Sequence, residues 1–273
     1  MRVGRIGYVN CYPVYGALDR GIVPLDAELV TGTPAELNGL LSAGALDVSV
    51  ISAVEYARES DRFLLLPDLA VSCDGPVRSV VLFARRPAQE LHEATVLVSA
   101  ASRTSVYLLQ LLAMDVWGVS PRLVTARTEA ADLAQLERLP HDAVLVIGDA
   151  ALVLAAQDGY PHRYDLGAAW KEWTGLPFVF AVWAARREVQ SGEVQRVHQA
   201  LCRSRAWGLA HLDELVSAAV RETGLPRATC EEYFGGLDYD LSYRHVEGLT
   251  SFFRRLAARG LVRDGSLRFL SVA

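Results

Sequence analysis

The stretch TPAELNGLLSAGALDVSVIS, residues 33–52, constrains the fold of this chain more than any other. Thr33 is placed to cap a helix, Pro34 suits its first turn, Leu37, Leu40 and Leu41 form an apolar face, and Gly44 ends it. DVSVIS then reads as a buried strand, and DAELVTG just upstream reads as another. A helix spliced between two strands over so short a distance is the connection of parallel strands, because an antiparallel pair needs only a turn. The chain is therefore predicted to be α/β, built from βαβ units.

The same alternation continues. RVGRIGYV at the start reads as a strand, and VRSVVLFA (77–84) leads through RRPAQELHEA, whose proline and charges suggest a crossing between lobes. Beyond it come a strand in ATVLVSA (94–100), a helix, the strand RLVTA, a helix in EAADLAQLERL, the strand AVLVIG and a helix beginning DAALVLAAQ. The apolar run 178–184 is predicted to return to the first lobe, and from Glu188 onward the pattern is almost wholly helical. The expected organisation is a discontinuous first lobe, 1–87 and 180–273, and a second lobe, 88–179. Two α/β lobes joined by two crossings, with a ligand cleft between them, are the plan of a type II periplasmic-binding-protein-like fold.

Charge excludes one class of partner. With 27 basic against 32 acidic residues and a net charge of −5, the chain lacks the cationic surface that would face nucleic-acid phosphates. Lys171 is the single lysine, so cationic contacts fall to arginine, which grips carboxylates but transfers protons poorly. Cys11, Cys73, Cys202 and Cys230 are far apart, without metal-ligand spacing, and suit reduced thiols in a cytoplasmic protein. MRVGRIGYVN lacks the pattern of a signal peptide, and no run of about 18 apolar residues implies a membrane span.

Candidate site residues cluster where strands give way to helices. In AASRTSVYLLQLLA, residues 100–113, Ser102, Arg103, Thr104 and Ser105 stand at a helix mouth, where one cap needs one such residue. The surplus suits an anion bound by free N–H groups and the positive helix end, although plain capping accounts for the pattern as well. In IGDA, Gly148 and Asp149 occupy a similar turn, and Asp149 taken alone reads as an N-cap. Asn10 after a strand reads by itself as a turn residue, and Ser79 within one as a satisfied core hydroxyl. The six histidines fall in loop or helical stretches, and Trp170, Trp173, Phe178, Phe180 and Trp183 read as core or cleft wall.

Taken in order and spacing, GYVNCYPVY, TPAELNGLLSAGALDVSVISAVEYA, GPVRSVVLFA, SRTSVYLLQLL, VLVIGDAAL and YDLGAAWKEWTGLPFVFAVW resemble the chorismate dehydratase family of the futalosine route to menaquinone. The resemblance runs from residue 6 to about 262. It implies loss of water from chorismate to give 3-[(1-carboxyvinyl)oxy]benzoate, with no cofactor and no metal. Asn10 and Ser79 then become the catalytic pair facing the substrate's hydroxyl and enolpyruvyl portion. Ser102, Thr104 and Ser105 become a carboxylate cradle that Arg103 can join, Gly148 and Asp149 become substrate-binding residues at a turn on the cleft, and Tyr8 and Ser52 shape the pocket. No acid–base pair stands among these motifs, so the substrate's own enolpyruvyl carboxylate is the expected base. Arg78 is predicted to point away if Ser79 points in. Two other readings share the fold: the sister 1,4-dihydroxy-6-naphthoate synthase, and a cytoplasmic small-anion binding or sensor protein.

Overall fold

Among the described residues, ten strands divide between two mixed five-stranded sheets of matching design. The computed structural model describes residues 1–136, 138–263 and 265–271. The strands are β1 (Arg2–Ile6), β2 (Glu28–Gly32), β3 (Val48–Ser52), β4 (Phe63–Cys73), β5 (Val80–Ala84), β6 (Thr95–Ser99), β7 (Arg122–Ala126), β8 (Ala143–Ile147), β9 (His162–Asp165) and β10 (Phe178–Arg186). The helices are α1 (Tyr12–Asp19), α2 (Pro34–Ser42), α3 (Ala53–Arg58), α4 (Arg103–Asp115), α5 (Leu133–Leu136), α6 (Gly148–Ala155), α7 (Leu166–Thr174), α8 (Ser191–Ala210), α9 (Leu212–Thr223), α10 (Arg227–Gly235) and α11 (Tyr243–Ala257).

The first sheet has the order β2-β1-β3-β10-β4 and the second β7-β6-β8-β5-β9. In the first, β1 runs parallel to β2 and β3, and β10 lies antiparallel to β3 and β4. In the second, β6 runs parallel to β7 and β8, and β5 lies antiparallel to β8 and β9. Each sheet thus takes, as its fourth strand, the one that arrives from the other lobe. The central strands β3, β5 and β8 are buried along their whole length, as expected of sheets covered on both faces.

The predicted βαβ unit is present as β2-α2-β3. Thr33 Oγ1 accepts from the Glu36 N–H at 3.4 Å, and the Glu36 carboxylate accepts from the Thr33 N–H at 2.8 Å, a reciprocal capping box. The strand 178–184 returns to the first sheet as β10, as expected. One assignment is corrected: β5, expected in the first lobe, pairs with β8 and β9 in the second. The chain therefore changes sheets at residues 74–79, before β5, and not through 85–94. Its apolar strand pattern is the same for either sheet, and only pairing partners distinguish them. Two strands were not expected, β4 and β9; β4 carries Pro67 and Asp68, and it pairs with β10 through two register shifts.

The helical C-terminal part packs back on the first lobe. Gly208 of α8 lies against α1 so closely that a Cβ there would stand 2.1 Å from the Pro13 carbonyl oxygen, so only glycine lets these helices meet. Trp170 packs edge-on to Trp173, Phe178 and Phe252, tying α7 and α11 to β10. Among the described residues, no helix is long and apolar enough to cross a membrane.

Candidate functional site

A narrow cleft of about 60 Å³ opens between the two sheets, where strands end and helices begin. The turn Val9–Cys11 after β1, which leads into α1, brings Asn10 to it. Pro34 at the start of α2, Ser52 before α3, Ser102 before α4 and Gly148 at the start of α6 also line it. Helix starts carry unpaired N–H groups and the positive ends of the backbone dipoles, so their convergence favours an anion. None of the lining residues is Asp, Glu, His, Lys, Arg or Cys; beside backbone, the polar groups are hydroxyls and one amide. Val71, Val77, Phe180 and Ala181 give apolar walls between them.

On the second-lobe side, Ser102 and Ser105 are both buried, and their hydroxyl oxygens lie 3.0 Å apart. Ser102 Oγ also accepts from the Ser105 N–H at 3.3 Å, so one residue caps α4 and lines the cleft at once. Gly148 has φ +63°, and a Cβ there would stand 3.0 Å from the Tyr8 ring. Its N–H donates to the Ser79 carbonyl at 2.8 Å.

Ser79 closes a three-residue turn. Its N–H donates to the Val77 carbonyl at 2.7 Å, and Arg78 between them has φ +61°, a strained conformation for a side chain with a Cβ. Asp165 holds that turn open to the cleft: its carboxylate accepts from the Val77 N–H at 3.1 Å and the Arg78 N–H at 2.6 Å, while capping α7 through the Ala168 N–H at 3.0 Å. The Arg78 guanidinium points away, to Glu232 at 2.5 Å, as expected, though through this turn and not through strand alternation. Ser79 therefore sits on the crossing into the second sheet, not within a first-lobe strand. Ser52 is held by Asn38, which accepts the Ser52 N–H at 3.1 Å and donates to its hydroxyl at 3.4 Å. The Asn10 side-chain oxygen is buried without a hydrogen-bond partner.

The chain matches, over residues 1–258, the family described as menaquinone biosynthesis. It belongs to that family. A chorismate dehydratase of Thermus thermophilus is 36% identical over 82% of this chain and 84% of its own. A 1,4-dihydroxy-6-naphthoate synthase of the same organism is 29% identical over 96% of each. In fold, the periplasmic aliphatic sulphonate binding protein SsuA from Escherichia coli matches with a TM-score of 0.66 at 15% identity, covering 100% of this chain and 94% of that one. The fold is thus the periplasmic-binding-protein-like one.

Within this menaquinone-biosynthesis family member, the candidates separate into two groups. Tyr8, Asn10, Ser52, Ser79, Ser102, Ser105 and Gly148 come together around the cleft. Arg103, Thr104 and Asp149, expected to bind substrate, are not among its lining residues and bond across to the first lobe. Arg103 pairs with Glu55 at 3.3 Å, and Thr104 Oγ1 accepts from the Val54 N–H at 3.2 Å, both at the start of α3. Asp149 caps no N–H of its own helix, whose N-terminus has no side-chain cap; both its oxygens lie 3.3 Å from the Val9 N–H, opposite it in the first lobe. Burial pushes the Asp149 carboxyl up to about 7, against the Val9 bond that lowers it and Glu129 that raises it further.

Tyr8 makes a fourth bridge, its hydroxyl donating to Glu129 at 3.0 Å. Burial, then this nearby carboxylate, raises the Tyr8 hydroxyl's pKa, and burial raises that of Glu129. Glu129, Asp165 and Asn38 were missed in the sequence. Asp165 carried a signal, as an acidic residue before the amphipathic LGAAWKEW, and so did Asn38, polar beside the apolar face of α2. Glu129 carried none, since its partner lies 121 residues away.

Proposed function

We propose that this protein is a cytoplasmic chorismate dehydratase of the futalosine route to menaquinone, eliminating water from chorismate to give 3-[(1-carboxyvinyl)oxy]benzoate. The observation that carries the reading is a cleft rich in hydroxyls and helix starts, with no ionisable side chain except Tyr8 along its wall. A dicarboxylate fits such a cleft without a basic side chain, because N–H and O–H donors and helix dipoles supply the attraction. Ser102 and Ser105 are assigned to one carboxylate from the second lobe.

The reaction needs two events. A proton leaves the ring carbon bearing the enolpyruvyl ether, the electrons of that C–H bond form the new ring double bond, and hydroxide leaves the neighbouring carbon. The ring becomes aromatic, which drives the step. Tyr8, with its raised pKa and its hydroxyl already donating to Glu129, is no base at neutral pH. The substrate's enolpyruvyl carboxylate, folded against the C–H bond, is the base in this reading. Asn10 and Ser79 face the departing hydroxide and stabilise its developing charge by hydrogen bonds. The protein's contribution is placement, by walls that also hold the substrate away from its competing rearrangement.

Incubating the protein with chorismate and following the aromatic product by absorbance or mass spectrometry tests the proposal. Product formation is expected. Conversion of cyclic dehypoxanthine futalosine with chorismate untouched would instead assign the sister synthase activity, and binding of chorismate without turnover would assign a sensor.

A further inference from the structure

Behind the Asn10–Ser79 side of the cleft stands a side chain that no sequence motif marked. Tyr233, on α10 of the helical C-terminal part, is 1% exposed. Its hydroxyl lies within interacting reach of both Ser79 and Asn10, yet it meets neither at hydrogen-bonding geometry and is buried without a partner. The Asn10 side-chain oxygen is buried and unpartnered as well. A buried hydroxyl and a buried amide oxygen, each lacking a partner, both cost stability, so their presence beside one cleft calls for an explanation in function.

The backbone around Tyr233 holds it in this place. Glu232 next to it binds Arg78, the strained residue before Ser79, at 2.5 Å. At the end of α10, a Cβ on Gly236 would stand 3.3 Å from the Pro76 carbonyl, so the helix abuts the crossing segment that carries Ser79. Burial raises the Tyr233 hydroxyl's pKa well above its ordinary value, which keeps it a proton-bearing donor and excludes it as a base.

We propose that Tyr233 is a positioning residue for the elimination: its hydroxyl, unpartnered in this structure, donates to the Asn10 side-chain oxygen once substrate is bound, so that the Asn10 amide N–H groups turn toward the departing hydroxide. An amide has two faces of opposite character, donor and acceptor. With its oxygen unheld, Asn10 can present either face to an anionic ligand. A donor fixed on that oxygen leaves only the N–H face for the ligand. The assignment rests on the dehydratase reading and deepens it.

Tyr233→Phe keeps the buried ring and removes only the hydroxyl. Its melting temperature is expected to equal or slightly exceed that of the parent, because an unpartnered group is lost. Turnover is expected to fall about tenfold or more, with KM within about twofold, as misplacement of reacting groups predicts. In an Asn10→Ala background the same change should cost nothing further, since the group it positions is gone. Unchanged turnover, a fall in melting temperature parallel to the loss of rate, or additive losses in the double variant would each overturn the assignment.

A second measurement covers failure of the variant to fold. With 3-fluorotyrosine at position 233, the fluorine resonance should shift on titration with 3-[(1-carboxyvinyl)oxy]benzoate, and an unmoved resonance at saturation overturns the proposal. A parent protein that leaves chorismate unchanged overturns the dehydratase reading itself, and this assignment with it. A turning-over parent beside an equally active Tyr233→Phe overturns the assignment alone.

Discussion

The α4 and α6 helices both start where a parallel strand of the second sheet ends, and both open on the same cleft, yet their first turns do different things. At α4 the cap stays local: Ser102 takes the Ser105 N–H, and both hydroxyls remain at the cleft wall. At α6 there is no local cap; Gly148 turns the chain with φ +63°, and Asp149 reaches the Val9 N–H of the first lobe. Thr104 and Arg103 of α4 behave like Asp149, bonding to the start of α3. The same strand–turn–helix grammar thus yields a ligand cradle on one side and a bridge between lobes on the other. What decides is whether the residue opposite is open cleft or a helix start with a free N–H.

The difference is open to direct attack, most severely at Gly148. Gly148→Ala puts a Cβ into a left-handed conformation and against the Tyr8 ring, and should cost about 3 kcal/mol of stability. Denaturant unfolding measures it. A loss below about 1 kcal/mol would show that this turn relaxes freely and that the α6 start is no more constrained than that of α4.

Asp149 sharpens the contrast through pH. Its carboxyl titrates near 7 in the folded protein and near 4 when unfolded. Below pH 4 both states hold the proton and stability is unaffected. Between 4 and 7 the unfolded chain alone has lost it, so stability falls as pH rises, and above 7 the full cost is present. Asp149→Asn keeps an acceptor for Val9 and removes this titration. It should therefore be more stable than the parent by up to about 4 kcal/mol at pH 8, with the gap closing by pH 4. Melting temperatures across that range check it; a gap independent of pH would place the titrating carboxylate elsewhere.

The smallest effect is expected at α4. Ser105→Ala should weaken binding of the benzoate product by about 1 kcal/mol, through loss of one hydrogen bond to a carboxylate, and move the melting temperature little. Calorimetry and thermal unfolding separate the two. Unchanged affinity with a lowered melting temperature would make Ser105 a capping partner only, and erase its difference from Thr104.

Much of this was local and therefore readable. The cap at Thr33, the glycine stop at Gly44 and the hydroxyl cap at Ser102 are decided by residues within one turn of each other, and the parallel βαβ unit by the single stretch 28–52. So was the concentration of candidates at strand-to-helix turns, since side chains there must answer unpaired N–H groups. Three things lay beyond reach. The sheet that β5 joins depends on which strand edges are free when it arrives. The direction of Arg103, Thr104 and Asp149 depends on groups of the other lobe, and the nearest of those partners, Glu55 and Val54, are about fifty residues away in sequence. Tyr233 reaches Ser79 and Asn10 only because the helical C-terminal part folds back over the crossing. The sequence by itself determined most of the elements, though not β4 and β9, together with the α/β class and the turns that could meet a ligand, because hydrophobic period and capping act over a few residues. The tertiary structure alone decided which of those turns hold the cleft and which bridge the lobes, because a hydrogen bond takes the partner that distance offers, whatever its place in the chain.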